Sequence, residues 1–156
     1  MSRTIEPDEA RRLVCERAMP LRRRERVSLA DALGRTLAED LACSTPWPVT
    51  DRSAMDGFAL RGGIAAGAML RVAGESLAGR PFERSLGDGE AVRIMTGAVV
   101  PGGADAVARV EDTSGFRGLD GDPSRVRIEV PIERGANVRA RGSELVAGQR
   151  VLSAGD

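Results

Sequence analysis

Apolar residues follow the spacing of one helix face near the start of the chain. These positions are Ala10, Leu13, Val14 and Ala18. Pro7 suits the first helical position, because a proline there sacrifices no intrahelical hydrogen bond. Pro20 is expected to end the segment, since proline cannot continue a helix. We therefore predict a helix over about 7–18.

A second, shorter helical turn is predicted in SLADAL at 28–33. Ser28 resembles an N-cap with Asp31 three residues later, and Gly34 closes the turn. The next segment, TLAEDLAC at 36–43, is ambiguous because its acidic pair breaks a clean alternation. We favour a strand there over a continuing helix.

The pattern changes after TPWP at 45–48, where short apolar runs begin to alternate with glycine-rich breaks. The runs are MDGFAL (55–60), AMLRVAG (68–74), EAVRIM (90–95), DAVARVED (105–112) and RVRIEVPI (125–132). ANVRARG and QRVLSAGD continue the pattern in the tail. Several short strands at this spacing predict a small barrel-like or sandwich-like domain. The chain is thus expected to be α+β and mainly β, with its β-rich middle at 46–133.

The amino-acid composition restricts the class of binding partner and the cellular compartment that we expect. The 23 basic and 23 acidic residues cancel, which gives no reason to expect a nucleic-acid or membrane partner. The one basic cluster, LRRRER at 21–26, is interpreted as a solvated helix end or loop rather than an anion-binding patch. No apolar stretch approaches the ~20 residues of a membrane span, and no signal peptide is recognisable. Cys15 and Cys43 lack metal-like spacing, so we expect neither a disulfide nor a zinc site, and a cytoplasmic location.

Three residue types are missing, and their absence restricts the chemistry. Without His or Tyr the chain offers no histidine base, no Ser-His-Asp arrangement and no histidine metal ligand. All 23 basic residues are Arg, so Schiff-base chemistry and a Walker lysine are excluded as well. Any reaction must use Asp, Glu, Ser, Thr, Arg and backbone N–H groups. A bound metal would be a hard, oxygen-ligated ion such as Mg²⁺.

Two loops hold polar residues next to glycine. In DRSAMDGFA at 51–59, Asp56 either bonds the backbone of its own turn or is held at the edge of a site. In RIMTGAVVPGGADAV at 93–107, Gly97 frees the backbone, so that Thr96 and neighbouring N–H groups can face an anion. The alternative for Thr96 is a strand cap.

A third loop, GANVRARGSELVAG at 135–148, places Arg139 and Arg141 before a tight turn. Alternate residues of a strand share a face, so the two guanidinium groups can form an anion clamp. They can equally lie on a solvated face and pair with Glu133 or Glu144. Considered singly, each of the three loops favours its structural interpretation.

Considered together and in this order, the loops resemble a known family. PWPVTDRSAMDGFAL, RIMTGAVVPGGADAV and GANVRARGSELVAG resemble the N-terminal part of MoeA, the molybdopterin molybdenumtransferase family, which includes the E region of gephyrin. The resemblance extends over almost the whole chain, from the first helix to the closing VLSAG. Its most specific segments are S-A-M-D-G and R-I-M-T-G-A.

The resemblance implies a reaction and an architecture. Members of the family insert molybdate into adenylylated molybdopterin in a Mg²⁺-dependent step that releases AMP, and they are elongated homodimers. Their site lies in a cleft between the β domain of one subunit and the pterin-binding domain of the other. By resemblance, 1–45 plus 134–156 form a discontinuous α/β linking domain, into which a β-rich domain of 46–133 is inserted.

The resemblance also assigns residues. Asp56 and Thr96 match the family's functional Asp and Thr, and we expect them to be catalytic, with Asp56 also a Mg²⁺ ligand. A carboxylate and a hydroxyl on neighbouring loops can hold Mg²⁺ or orient water near a phosphoanhydride. The expected substrate-binding residues are Ser53, Arg52, Arg139, Arg141 and Glu144. Two positions depart from the family pattern: Glu144 replaces an aspartate, and Phe58 replaces the more usual Tyr.

The family continues beyond the position that matches Asp156 into a pterin- and nucleotide-binding domain. That domain carries the molybdate and pterin contacts, so we expect this chain alone to be inactive. The first alternative is a non-catalytic scaffold or dimerisation module that keeps the loops for folding reasons. A second alternative is a small anion-binding domain that uses Arg139 and Arg141.

Overall fold

A computed structural model describes residues 4–19 and 23–156 of the protein. The chain divides into two compact units, one of Met1–Asp40 with Ser153–Asp156 and the other of Leu41–Leu152. The predicted helix end at Pro20 and part of the basic cluster at 21–26 lie outside the described residues.

The smaller unit contains α1, which spans Pro7–Arg17 and confirms the predicted helix. Proline occupies the start of α1, acidic side chains its first turn and Arg17 its last turn, an order that complements the helix dipole. No residue of α1 is buried. Across the described ranges, no helix combines the length and apolar character that a membrane crossing requires.

A 3₁₀ turn at Leu29–Asp31 confirms the predicted short helical element. The Ser28 hydroxyl accepts a hydrogen bond from the Asp31 N–H at 3.3 Å, as an N-cap does. In the 36–43 segment only Leu41–Ala42 (β1) form a strand, so the predicted strand is mostly wrong. The preceding residues bond the end of the chain instead of a strand neighbour. The Leu37 N–H, for example, donates to the Asp156 carbonyl at 2.8 Å.

The larger unit is built on a five-stranded sheet with the order β6-β3-β5-β4-β7. Its strands are β3 (Gly57–Leu60), β4 (Met69–Ser76), β5 (Glu90–Ile94), β6 (Ala106–Arg109) and β7 (Arg125–Arg127). Neighbours are antiparallel except β4 and β5, which are parallel with an irregularity between Val72 and Glu75. Each strand overlaps a predicted apolar run, although β4 extends two residues past its run, and the predicted mainly β fold with an N-terminal helix is confirmed.

Two predicted strands are shorter than expected, because their last residues bond outside the sheet ladder. In 105–112, Val110–Asp112 form a 3₁₀ turn that the Thr113 hydroxyl closes by donating to the Val110 carbonyl. In 125–132, the strand ends at Arg127, and the Glu129 N–H donates to the Asp112 carbonyl at 2.8 Å.

Two short antiparallel ribbons complete the larger unit. β1 pairs with β9 (Arg150–Leu152), and β2 (Arg52–Ser53) pairs with β8 (Val138–Arg139). The second ribbon brings two of the three polar loops together, because Arg52 lies opposite Arg139.

The sheet is buried on both faces around β3. Phe58 and Leu60 belong to one apolar cluster, whereas Ala59 between them belongs to another. Alternate strand residues point to opposite faces, so β3 is a central, fully covered strand. β3 and β5 are antiparallel, with Gly57 opposite Ile94. The start of β3 and the end of β5 therefore lie at the same end of the sheet.

Candidate functional site

Asp56 and Thr96 meet at this end of the sheet. Asp56 directly precedes β3, and Thr96 follows β5 by two positions. The Thr96 hydroxyl donates to Asp56 Oδ1 at 2.7 Å, and the Thr96 N–H donates to the same oxygen at 2.7 Å. Both residues are exposed. The sequence-based prediction of an acid and an alcohol side by side at an open edge is confirmed, although it does not test their catalytic roles.

The contact stabilises the charged form of Asp56. The Thr96 N–H and, next, the Thr96 hydroxyl stabilise the carboxylate and lower the pKa of Asp56 below its ordinary value, while slight burial opposes them. Asp56 is therefore ionised at neutral pH. Within the described part of the chain, its second oxygen, Oδ2, accepts no hydrogen bond.

The Asp56 loop is held by short-range bonds and by a close backbone approach. The buried Ser53 hydroxyl donates to the Met55 carbonyl at 2.6 Å and closes a tight turn. At Gly57, a Cβ atom would lie 1.9 Å from the Ala108 carbonyl oxygen, so β3 and β6 require a glycine there. The Ser53 side chain thus shapes the loop, and its contact with substrate stays a prediction.

The Thr96 loop is a tight turn over 95–98. The Ala98 N–H donates to the Met95 carbonyl at 2.9 Å, and Gly97 has a φ of 79°. A left-handed residue at this turn position favours glycine. The Gly97 N–H donates to the Ser53 carbonyl at 2.8 Å, and Arg52 Nη1 donates to the Gly97 carbonyl at 2.8 Å. The two loops are therefore bonded directly to each other.

The third loop reaches the same region through the backbone. The Arg141 N–H donates to Asp51 Oδ1 at 2.7 Å. Arg139 Nη1 lies 3.7 Å from Glu144 Oε1, so Arg139 pairs with one of the two glutamates considered from the sequence. The Arg141 guanidinium has no hydrogen-bond or ion-pair partner among residues 4–19 and 23–156.

The structure brings some of the predicted site residues into contact with the Thr96 turn and leaves others apart from it. Arg52 and Ser53 bond the turn that carries Thr96. For the described residues, no hydrogen bond or ion pair joins the Arg139, Arg141 or Glu144 side chains to Asp56 or Thr96. The predicted clamp is thus linked to the Asp56 loop through the pairing of β2 with β8 and through the bond from the Arg141 N–H to Asp51, and not through its side chains.

Sequence reasoning missed Asn137, which supports the Asp56 loop from β6. Asn137 is left-handed with a φ of 54°, and its Nδ2 donates to the Val107 carbonyl at 2.8 Å. Its own carbonyl accepts from the Ala54 N–H at 2.9 Å. Asparagine tolerates this conformation, so an Asn two residues after Gly135 is a sequence signal for a turn. No local sequence pattern predicts its two long-range hydrogen bonds, with Val107 and Ala54.

The site can supply only part of a Mg²⁺ ligand set, and water and substrate oxygens would have to supply the rest. Throughout the part of the chain that the structure describes, no group of three or more acidic or cysteine side chains is arranged to hold a metal ion. Mg²⁺ commonly takes one or two carboxylates and fills its remaining positions with water and substrate phosphate oxygens. An exposed, ionised carboxylate with one uncommitted oxygen meets that requirement.

Comparisons with known proteins show which family the chain resembles. Residues 5–156 match the family described as MoeA N-terminal region (domain I and II). The chain is 36% identical over 149 residues to a molybdopterin molybdenumtransferase of Haemophilus influenzae, covering 95% of this chain and 36% of that protein. It is 37% identical over 157 residues to the Bacillus subtilis protein of the same name, covering 97% of this chain and 36% of that one.

More distant comparisons extend the likeness. A gephyrin of Dictyostelium discoideum is 33% identical over 165 residues, which are 96% of this chain and 22% of that protein. The solved structure of the molybdopterin biosynthesis MoeA protein from Pyrococcus horikoshii OT3 superposes with a TM-score of 0.84 at 29% identity. The superposition covers 94% of this chain and 39% of that one. The chain thus spans about a third of the length of its bacterial relatives.

Proposed function

Because the chain belongs to the MoeA family, we propose that it supplies Asp56 and Thr96 to a site that inserts molybdate into adenylylated molybdopterin. The observation that carries the proposal is the pair of 2.7 Å hydrogen bonds from Thr96 to one oxygen of an exposed Asp56. Relatives that align over nearly the whole chain are named molybdopterin molybdenumtransferases, which supports the same reaction.

In the proposed site Asp56 acts as an anion rather than as a base. A carboxylate whose pKa is lowered is a weak proton acceptor near neutral pH, so general base catalysis is disfavoured. Its free oxygen would instead hold Mg²⁺, which when bound neutralises negative charge on phosphate oxygens. Thr96 fixes the direction of the carboxylate through its two donors.

The proposed substrate-binding residues are Ser53, Arg52, Arg139, Arg141 and Glu144. Arg52 and Arg139 lie directly opposite each other in the β2–β8 ribbon, and like charges in that position repel. An oxyanion between the guanidinium groups would relieve this repulsion. Adenylylated molybdopterin and molybdate both supply such groups.

The proposed assembly is a homodimer in which a pterin-binding domain of one subunit completes the site of the other. The proposed linking domain comprises 1–45 plus 134–156, around an inserted domain of 46–133. Pairing of β1 with β9 supports this organisation, because it joins the two segments assigned to the linking domain. The chain alone is proposed to be inactive. Its proposed location is the cytoplasm, in keeping with the free thiols of Cys15 and Cys43.

The test is Asp56→Asn in a full-length protein that carries this N-terminal region. The variant removes the charge and the metal ligand but leaves a carbonyl oxygen for the Thr96 donors, so the fold should persist. We expect molybdenum insertion to fall to background while circular dichroism and thermal unfolding stay unchanged. Asp88→Asn is the control, because the Asp88 side chain is 91% exposed and pairs only with Arg61 in the described residues. Normal cofactor production by Asp56→Asn would refute the proposed role.

The hydrogen bonds from Thr96 to Asp56 are also compatible with one alternative function, a non-catalytic scaffold or dimerisation module. Thr96 joins the ends of β3 and β5, so the loops also serve folding. In this alternative Asp56→Asn would leave both the fold and cofactor production intact. The two functions therefore predict opposite results for one variant.

A further inference from the structure

We infer that Arg52 is a positioning residue: its guanidinium holds the Gly97 carbonyl and so fixes the turn from which the Thr96 N–H and hydroxyl converge on Asp56. The inference rests on the proposed function of the Asp56–Thr96 pair. It gives Arg52 a task beyond the proposed contact with substrate.

The geometry fixes Gly97 from both sides. Arg52 Nη1 donates to the Gly97 carbonyl at 2.8 Å, and the Gly97 N–H donates to the Ser53 carbonyl at 2.8 Å. Consecutive residues of β2 therefore hold both polar backbone groups of the residue that follows Thr96. Any rotation of the Thr96–Gly97 peptide would break at least one of these bonds.

Packing holds the two ends of the turn, where Ile94 and Ala98 are buried, but it does not restrain Gly97 between them. Gly97 is left-handed, and a Cβ atom built on it would meet no other atom within 4 Å. Glycine changes its backbone conformation at little steric cost, and Thr96 itself is exposed. The direction of the two Thr96 donors is thus set by hydrogen bonds.

The restraint also explains an arginine in an unfavourable place. Arg52 lies opposite Arg139, where a neutral residue would avoid repulsion between like charges. A planar guanidinium carries five donors in a fixed fork. One donor can hold the Gly97 carbonyl while others remain available to an anionic substrate.

The test compares Arg52→Met with the unchanged chain by NMR. Asp56 is titrated through its carboxyl carbon signal, and the Thr96 amide proton reports the hydrogen bond to the carboxylate. In the unchanged chain the pKa of Asp56 lies below its ordinary value because of the Thr96 donors. Loss of Arg52 should raise this pKa toward the ordinary value and shift the Thr96 amide signal upfield. Arg52→Lys, which keeps the charge and one donor, should recover part of both shifts.

Controls separate positioning from charge and from general damage. Arg61→Met removes an exposed arginine that pairs with Asp88 and should change neither signal. At about 0.5 M salt, a through-space charge effect of Arg52 would be screened, whereas a displaced turn would not recover. Should Arg52→Met fail to fold, Arg52→Gln is judged by the same two signals.

Unchanged Asp56 and Thr96 signals in the folded Met or Gln variant would overturn the inference. A rise in the pKa of Asp56 that vanishes in high salt, with the Thr96 amide unmoved, would overturn it too. Neither readout depends on turnover, so this failure leaves the proposed function standing. Conversely, an active Asp56→Asn enzyme would remove the function without affecting the role of Arg52 in holding the turn.

Discussion

At the scale of single residues, hydrogen-bond donors lower the pKa of two carboxylates, Asp56 and Glu90, in different settings. Asp56 receives both donors of Thr96 and keeps one oxygen uncommitted. Glu90 is the opposite case, because its carboxylate is only 9% exposed and both oxygens are engaged. An open carboxylate is suited to a ligand, whereas an enclosed one serves stability.

Glu90 provides a test of the second case. The Arg84 guanidinium, the Gly87 N–H and the charge of Arg71 lower the pKa of Glu90 from 4.5 to about 2. Its contribution to stability is therefore complete above the ordinary carboxyl pKa and is lost as the pH falls through about 2. We expect Glu90→Gln to be less stable than the unchanged chain at pH 7 and to lose less stability between pH 5 and pH 2.

Urea unfolding at several pH values measures this difference. Glu129→Gln is the matched control, since the Glu129 side chain is 41% exposed and pairs with a single arginine, Arg127. Exposed ion pairs of that kind contribute only about 0–1 kcal/mol. Parallel stability curves for Glu90→Gln and the unchanged chain across this window would contradict the assignment.

At the scale of elements, close contact between β3 and β6 fixes where Asp56 emerges from the sheet. The Gly57 backbone approaches the Ala108 carbonyl so closely that a methyl group would lie 1.9 Å from its oxygen. The Asp56 carbonyl also accepts from the Val110 N–H at 3.0 Å, just beyond β6. The position of the candidate site is therefore built into strand pairing.

Gly57→Ala should force β3 and β6 apart. Overpacking of this kind costs typically about 1–3 kcal/mol, and a contact with rigid backbone belongs at the upper end. Gly87→Ala is the control, because its nearest contact would be an ordinary 3.5 Å from the Glu90 side chain. We expect it to be neutral or stabilising by up to about 1 kcal/mol, as is common where alanine fits. Equal unfolding free energies for the two variants would show that β3 and β6 are not tightly apposed.

At the scale of the whole molecule, local patterns predicted the elements better than their pairing. Alternating apolar runs revealed β3 to β7, and Pro7 with its following apolar spacing revealed α1. No periodicity indicates that β4 and β5 run parallel, or that two-residue strands form the β2–β8 ribbon. These pairings depend on contacts between residues far apart in sequence.

For the candidate site too, local features were predicted better than contacts between distant residues. Asp56 and Thr96 stood out because each precedes a glycine in a loop at a strand end, but their assignment to a site came from the resemblance of the loops to the MoeA family. Asn137 and the link from Arg52 to Gly97 were not identified, because the residues they join are 30 and 45 positions apart. The Ser143–Glu144 turn was located, but its side chains stay apart from the Asp56–Thr96 pair in the described bonds.

The proposed division of the site between subunits predicts complementation between two inactive full-length variants. One carries Asp56→Asn, and the other has an intact N-terminal region but an inactivated pterin-binding domain. Random pairing makes half of the dimers mixed, and each mixed dimer regains one of two sites, so activity should recover to about a quarter of the unchanged enzyme. Mixing after separate folding, with no exchange of subunits, serves as the control and should give none. If both halves of a site come from one subunit, co-folded mixtures will be as inactive as either parent.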